Sequence, residues 1–223
     1  MSEPDALEAH RAAAEAFAWE RPPVPASWLR ACAELSFRET EAQERYLREV
    51  DLPAHPEDAG RGERYLEALA RTRALADADQ PLELAALAEL NASLRGLAGP
   101  APFRCGPAFA AGGARRYGLP PGLAAEFAAG LARVEALALH PCARAVRLYL
   151  DVIHVHPFAD GNARLARLAL EHVLRRAGLP TPELAPFVGM PKPPGEARRL
   201  GQLTKLLVSG VLRAGGVCRA GLE

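Results

Sequence analysis

The sequence is poor in cysteine, and the cysteines that it has lie far apart. Only four occur among 223 residues, and no two form a C-x-x-C pair: Cys32, Cys105, Cys142 and Cys218. Scattered single cysteines are typical of reduced proteins in a cytoplasm, where stable disulfides are rare. We therefore expect reduced, partly buried thiols.

The sequence also lacks an excess of charge of either sign and any long hydrophobic run. Lys plus Arg equals Asp plus Glu at 27 each, so no net field attracts nucleic acid or an acidic membrane. No apolar run approaches the ~20 residues that span a bilayer. The first residues are acidic, unlike the basic start of a signal peptide. These absences predict a cytoplasmic protein that binds neither nucleic acid nor membranes.

Aromatic residues are scarce at 6%, whereas alanine and leucine dominate, a composition that favours helices. A chain of this length can bury the core of one domain with or without an appendage. Apolar residues recur at helical spacing in most of the chain, which predicts an all-α fold. The predicted helices cover residues 1–20, 27–50, 62–79, 81–97, about 121–139, about 146–154, 165–177 and about 196–212.

The densest group of reactive side chains occupies residues 156–167, between two of these helices. Pro157 ends the first helix, because a proline pushes the residue before it out of the α region. Asn162 is suited to cap the second helix. The loop therefore leads into a helix N-terminus, where free N–H groups and the helix dipole attract an anion such as a phosphate.

The chemistry of each side chain in this stretch predicts a role. Arg164 and Arg167 lie three positions apart on one helix face, so both can hold phosphate oxygens. Asp160 is a hard oxygen ligand suited to Mg²⁺. His156 can accept a proton at neutral pH and so activate a hydroxyl group. Gly161 allows close approach of the backbone to a ligand.

This stretch resembles the signature of the Fic family, H-P-F-x-D/E-G-N-x-R followed by x-x-R. Every defined position matches, and Ala163 stands where glycine or lysine is usual. The resemblance implies a mostly helical domain with a small β-hairpin flap, which transfers AMP from Mg·ATP to a protein hydroxyl. It makes His156 the base and Asp160 the Mg²⁺ ligand. The residues that it places around the nucleotide are Phe158, Gly161, Asn162, Ala163, Arg164 and Arg167.

The resemblance also divides the chain into three regions. Residues 1–80 become an N-terminal helical region, residues 81–180 the Fic core, and residues 181–223 a proline-rich segment with a final helix. Within the core, residues 104–121 break the helical pattern, and Gly112-Gly113 indicates a hairpin turn. This hairpin would dock a protein substrate by strand addition. The alternative interpretation of residues 104–121 is a mobile loop.

Many Fic proteins carry an inhibitory helix in the region before the core. Its glutamate pairs with the second arginine of the motif, here Arg167, and takes the place of the γ-phosphate. Glu39 and Glu44 are the candidates in this sequence, although neither lies in a good match to the inhibitory pattern. The alternative is an ordinary exposed helix face with charge pairs. Two sources of inhibition stay open, namely the chain itself and an antitoxin-like partner.

Other functions compete with AMP transfer. His154, His156 and Asp160 carry zinc-ligand groups, but no third His or Cys lies nearby at ligand spacing, and two arginines would repel a cation. A non-catalytic module that binds nucleotide or peptide is a further alternative, although phosphate binding requires no base. Within enzymes, the same motif also fits removal of AMP or transfer of another phosphate-containing group.

Overall fold

The computed structural model of the chain describes residues 5–110 and 115–217. The elements follow one another as helices, with one short hairpin in the middle. Their bounds are α1 Ala6–Ala16, α2 Ala26–Ala33, α3 Ala42–Tyr46, a π-helical turn Leu47–Asp51, α4 Arg61–Asp77, α5 Leu84–Arg95, β1 Ala108–Ala110, β2 Arg115–Tyr117, α6 Leu123–Ala136, α7 Pro141–Val155, α8 Asn162–Arg176, α9 Ala185–Gly189 and α10 Ala197–Ala214.

Helix α8 lies at the centre of the fold. It packs against α7, α4 and α5, and α10 covers the other side of α7. Nearly all of its residues from Asn162 to Leu174 are buried, with Ala163 as the exception. A helix buried on nearly all sides is a core helix, and the buried polar side chains Arg164, Arg167, Glu171 and His172 must find partners within the protein. The central position of α8 fixes the motif loop at its N-terminus, and the predicted mostly helical fold is confirmed.

The predicted hairpin is present as two antiparallel strands. Ala108 pairs with Tyr117 and Phe109 with Arg116. The Gly112-Gly113 turn predicted to join the strands lies outside the described residues. Tyr117 is 1% exposed, whereas Phe109 is 57% exposed. One face of the hairpin therefore packs on the domain, and the other faces outward.

The predicted helix over residues 27–50 is wrong. The structure places α2 at Ala26–Ala33, and the next helix begins only at Ala42. The hydroxyl of Thr40 donates to the carbonyl of Thr181 at 2.7 Å, so the intervening segment is held by a distant part of the chain. Tertiary contacts here override a local preference for helix.

The cysteines of the described residues are free thiols. Cys32 and Cys142 are buried, and Cys105 is exposed. Cys218 lies outside the described residues. Within residues 5–110 and 115–217, no helix combines the length and hydrophobicity needed to cross a membrane.

His172 on α8 makes the fold sensitive to acid. The side chain is 1% exposed, and burial lowers its pKa to about 4 from an ordinary 6.5. Between these values the unfolded chain binds more protons than the folded one, so the free energy of unfolding falls as the pH falls. The loss from this residue reaches up to about 3 kcal/mol.

Urea unfolding between pH 7 and pH 4 measures this loss. His172→Gln should flatten the dependence, because an amide can still donate to the carbonyl of Gln80, which His172 Nε2 contacts at 2.8 Å. His55→Gln, at a side chain that is 43% exposed, should leave the dependence unchanged. An equal slope in wild type and His172→Gln would contradict the assignment.

Candidate active site

The motif loop connects the C-terminus of α7 to the N-terminus of α8. Helix α7 ends at Val155, and His156 follows it in the left-handed conformation, with φ 48° and ψ 62°. This conformation is unfavourable for a residue with a side chain, so surrounding contacts must hold it. Pro157 forbids continuation of the helix. The loop thus begins with a strained backbone at the proposed base.

The His156 ring lies against the hairpin. It stacks on the Tyr117 ring with 4.4 Å between centroids and 20° between planes. Its Nδ1 atom is buried without a well-formed hydrogen bond to any described residue. Burial lowers the pKa of His156, and the carbonyl of Ile153, which raises it, offsets part of this effect. The imidazole is therefore neutral at pH 7 and able to accept a proton.

His154 belongs to the core. It is 2% exposed, and its ring stacks on that of His10 at 4.4 Å. His10 Nε2 in turn lies 2.9 Å from the carboxylate of Asp151. Burial lowers the pKa of His154 well below its ordinary value, and His10 lowers it further. In the part of the chain that the structure describes, no three His, Cys, Asp or Glu side chains are grouped to hold a metal.

Asn162 shapes the loop from inside. Its Oδ1 accepts a hydrogen bond from the Phe158 N–H at 3.1 Å, and its Nδ2 donates to the Phe158 carbonyl at 2.7 Å. The predicted N-cap role of Asn162 is wrong by one position, because Gly161 precedes the helix and Asn162 is its first residue. Both Asn162 and Phe158 are buried, at 4% and 0% exposure. Both side chains therefore build the loop from inside, and the contact with the nucleotide that the resemblance implies for them stays a prediction.

Gly161 is required by a close approach. It has φ +80°, and a Cβ atom there would lie 2.8 Å from Nδ2 of Asn91. The same Nδ2 donates to the carbonyl of Asp160 at 2.9 Å. Sequence reasoning missed Asn91 as a site residue. The feature of the sequence that could have indicated Asn91 is a polar amide side chain among the core leucines of α5.

Arg164 and Asp160 lie at the mouth of the loop. Arg164 is 5% exposed, and its Nη1 donates to the carbonyl of Leu94 at 3.0 Å. The Asp160 side chain is 77% exposed, and its Oδ2 lies 3.7 Å from Nη2 of Arg164. Ala163 is exposed beside them on the first turn of α8. The loop thus presents an exposed carboxylate next to a buried guanidinium.

Arg167 is bound to a carboxylate that the sequence had not indicated. Its Nη2 donates to Oδ2 of Asp51, and both side chains are about 95% buried. The guanidinium also lies over the rings of Tyr46 and Tyr65, at 4.7 and 5.2 Å from their centroids. Burial raises the pKa of Asp51, but Arg167 and Arg61 together bring it below the ordinary value. Asp51 is therefore ionised and neutralises Arg167.

Neither predicted inhibitory glutamate contacts Arg167. Glu44 binds Arg73, with oxygen–nitrogen distances of 2.7 and 3.3 Å, and Glu39 lies 3.2 Å from Arg175. Both glutamates therefore form charge pairs with other helices. The carboxylate on Arg167 comes from the π-helical turn, because that turn ends beside the middle of α8.

The chain matches known proteins over the region that contains this loop. Residues 105–174 match the model of the Fic/DOC family. A protein adenylyltransferase Fic from Culex quinquefasciatus is 35% identical over 68 residues, which cover 28% of this chain and 14% of that relative.

Solved structures show the same fold over a longer range. A Fic domain-containing signaling protein from Bacteroides thetaiotaomicron superposes with a TM-score of 0.55 at 16% identity, covering 95% of this chain and 94% of the other. IbpAFic2 in complex with adenylylated Cdc42 gives a TM-score of 0.53 at 16% identity, covering 96% and 72%. At such identities the likeness concerns the fold.

Proposed function

Because residues 105–174 form a domain of the Fic/DOC family, we propose that the chain is a protein adenylyltransferase. It moves AMP from ATP to a hydroxyl side chain of a target protein. The observation that carries the proposal is the arrangement of one loop, in which neutral His156, exposed Asp160 and two buried arginines meet at the N-terminus of α8. A site that only bound phosphate would need no base.

The phosphates of ATP bind at the first turns of α8. The free N–H groups there and the helix dipole attract their negative charge. Arg164 extends this positive surface, and Gly161 and Ala163 allow the nucleotide close to the backbone. Arg167 binds the terminal phosphates once Asp51 has moved away. Together these groups orient the α-phosphorus towards His156.

Asp160 is suited to hold Mg²⁺ with the nucleotide. Mg²⁺ is usually bound by one or two carboxylates, with waters and phosphate oxygens completing its octahedron. A single exposed carboxylate beside a phosphate-binding helix end fits this requirement without a cluster of protein ligands. The bound ion would neutralise charge on the phosphates during transfer.

His156 accepts the proton of the target hydroxyl. The hydroxyl oxygen then forms a bond to the α-phosphorus, and the bond from that phosphorus to the bridging oxygen of pyrophosphate breaks. The leaving pyrophosphate takes that bond's electron pair, and AMP stays on the target. The buried Nδ1 of His156 leaves Nε2 as the nitrogen that receives the proton.

The hairpin docks the target. Its outward face carries Phe109, which is 57% exposed, opposite Arg116 across the strand pair. A two-stranded sheet has free edges that can bind an extended segment through backbone hydrogen bonds. Because Tyr117 of the same hairpin stacks on His156, a segment added at this edge brings its hydroxyl near the base.

The N-terminal region restrains the core. Residues 1–80 supply Asp51, whose carboxylate occupies Arg167 as a γ-phosphate would. This region is therefore the regulatory part of the chain, residues 81–180 the catalytic core, and residues 181–223 a covering segment. Self-inhibition through Asp51 replaces the roles considered for Glu39 and Glu44.

Labelled ATP distinguishes the candidate functions. With Mg²⁺ and a lysate, ATP labelled at the α-phosphorus should place label on protein, whereas ATP labelled at the γ-phosphorus should not. Label from the γ-phosphorus alone would instead indicate transfer of a phosphoryl group. Bound nucleotide without any transferred label would indicate a non-catalytic module, and loss of label from an already adenylylated protein would indicate the reverse reaction.

A further inference from the structure

Arg104 is a buried cation held by backbone carbonyls. It is 8% exposed, and its Nε and Nη2 donate to the carbonyl of Val155 at 3.3 and 3.2 Å. Its Nη1 donates to the carbonyl of Gly106 at 2.6 Å, and Nη2 also donates to that of Gly118. The same side chain therefore contacts three separate stretches of backbone.

Two of the contacts of Arg104 lie on either side of His156. The side chain binds the carbonyl of Val155, and the backbone N–H of Arg104 donates to the carbonyl of Pro157 at 2.9 Å. His156 itself has φ 48°. Left-handed backbone at a residue with a side chain costs on the order of 1–3 kcal/mol and persists only where neighbours hold it. Arg104 therefore holds the backbone of the residue on each side of His156.

The other contacts of Arg104 lie at the two legs of the hairpin. Gly106 precedes β1 and Gly118 follows β2, so the guanidinium joins the legs at their base. Asp5, which caps α1, accepts a hydrogen bond from the N–H of Gly118 at 2.7 Å. Tyr117, next to Gly118, stacks on His156. The hairpin base and the His156 ring are therefore parts of one contact network.

Arginine is the side chain that this position requires. The carbonyl of Val155 is one of the last in α7 and has no partner within the helix. A cation there is also favoured by the helix dipole. A planar guanidinium spreads five donors over three nitrogens and so reaches carbonyls on different sides of the side chain, whereas the three donors of lysine all lie on one nitrogen.

We propose that Arg104 is a positioning residue that fixes His156 and the hairpin base as one rigid unit. A target segment aligned on the hairpin is thereby aligned on the base. This inference rests on the proposed function for its catalytic consequence, but the positioning itself can be measured without any turnover.

Arg104→Lys tests the proposal, with Arg144→Lys as the matched control. Arg144 also donates to a backbone carbonyl, that of Leu137 at 2.9 Å, but away from the motif loop. In Arg104→Lys we expect kcat for AMP transfer to fall about 10²-fold, as for a base misplaced by about 1 Å. The KM for ATP should change less than about twofold, because the phosphate-binding groups are untouched. Arg144→Lys should keep the wild-type kcat.

NMR of protein with labelled histidine and tyrosine gives the readout independent of activity. In wild type and Arg144→Lys, nuclear Overhauser contacts between the rings of Tyr117 and His156 should be present. In Arg104→Lys they should weaken, and the His156 titration should move towards that of a solvated imidazole. Intact contacts and an unchanged titration in Arg104→Lys would overturn the proposal. If the wild-type protein transfers no AMP but Arg104→Lys still alters these NMR signals, the proposed enzymatic function is refuted and the positioning role of Arg104 stands.

If Arg104→Lys fails to fold, hydrogen exchange in the wild-type protein still tests the proposal. The guanidinium N–H protons of Arg104 should exchange with solvent far more slowly than those of Arg48, whose side chain is 60% exposed. Equal exchange rates for the two arginines would show that the carbonyl contacts are not maintained in solution and would overturn the inference.

Discussion

His156→Ala should lower the rate of AMP transfer about 10²–10⁴-fold, the usual contribution of a positioned general base. The KM for ATP should stay nearly constant, because the imidazole contacts no phosphate in the proposed arrangement. The measurement is the initial rate of label transfer from ATP labelled at the α-phosphorus. His55→Ala, at a side chain that is 43% exposed, removes an imidazole elsewhere and should leave the rate unchanged.

The pH dependence of the same rate adds a second check. Burial lowers the pKa of His156, so the base stays neutral below the pH at which a solvated histidine gains its proton. Activity should therefore hold as the pH falls through 6.5 and decline only below it.

A rate that survives in His156→Ala would remove this residue from the mechanism and favour a nucleotide-binding module.

Asp51→Ala should raise the affinity for Mg·ATP about tenfold, which corresponds to about 1.4 kcal/mol. The terminal phosphates would then no longer have to displace a carboxylate from Arg167. Without nucleotide, the same change should lower the free energy of unfolding by about 3 kcal/mol, because a buried cation loses its partner. Calorimetry of ATP binding measures the gain in affinity, and urea unfolding measures the loss of stability.

Glu44→Ala is the matched control for this change. Glu44 lies in the same N-terminal region and binds a partly buried arginine, but that arginine is Arg73, which also contacts Glu171 at 2.8 Å. Its loss should lower stability without any gain in ATP affinity. If Asp51→Ala bound ATP no more tightly than wild type, self-inhibition through Asp51 would be refuted.

The parts of the fold that local patterns encode were predicted well. Apolar residues at helical spacing indicated α7 and α8, and the Gly-rich break between α5 and α6 indicated the hairpin. Pro157 marked the start of the loop within one residue of its position. These features depend on neighbours in the sequence, so the sequence alone carries them.

Two of the missed features depend on residues that are distant in the chain. Asp51 and Arg167 lie 116 positions apart, and Asn91 and Asp160 lie 69 apart. No local spacing can indicate such pairs. Arg104 was overlooked for a different reason, since its partners are backbone carbonyls, which every residue possesses.

The burial of α8 has a consequence for how fast nucleotide can enter. Because the core already holds this helix and the loop before it, a ligand loses little conformational entropy in ordering them. In the proposed mechanism the slow event is instead the departure of the π-helical turn Leu47–Asp51 from Arg167, which Asp51 binds in this structure. Association should therefore reach a limiting rate at high ATP concentration, set by opening of that turn and not by diffusion.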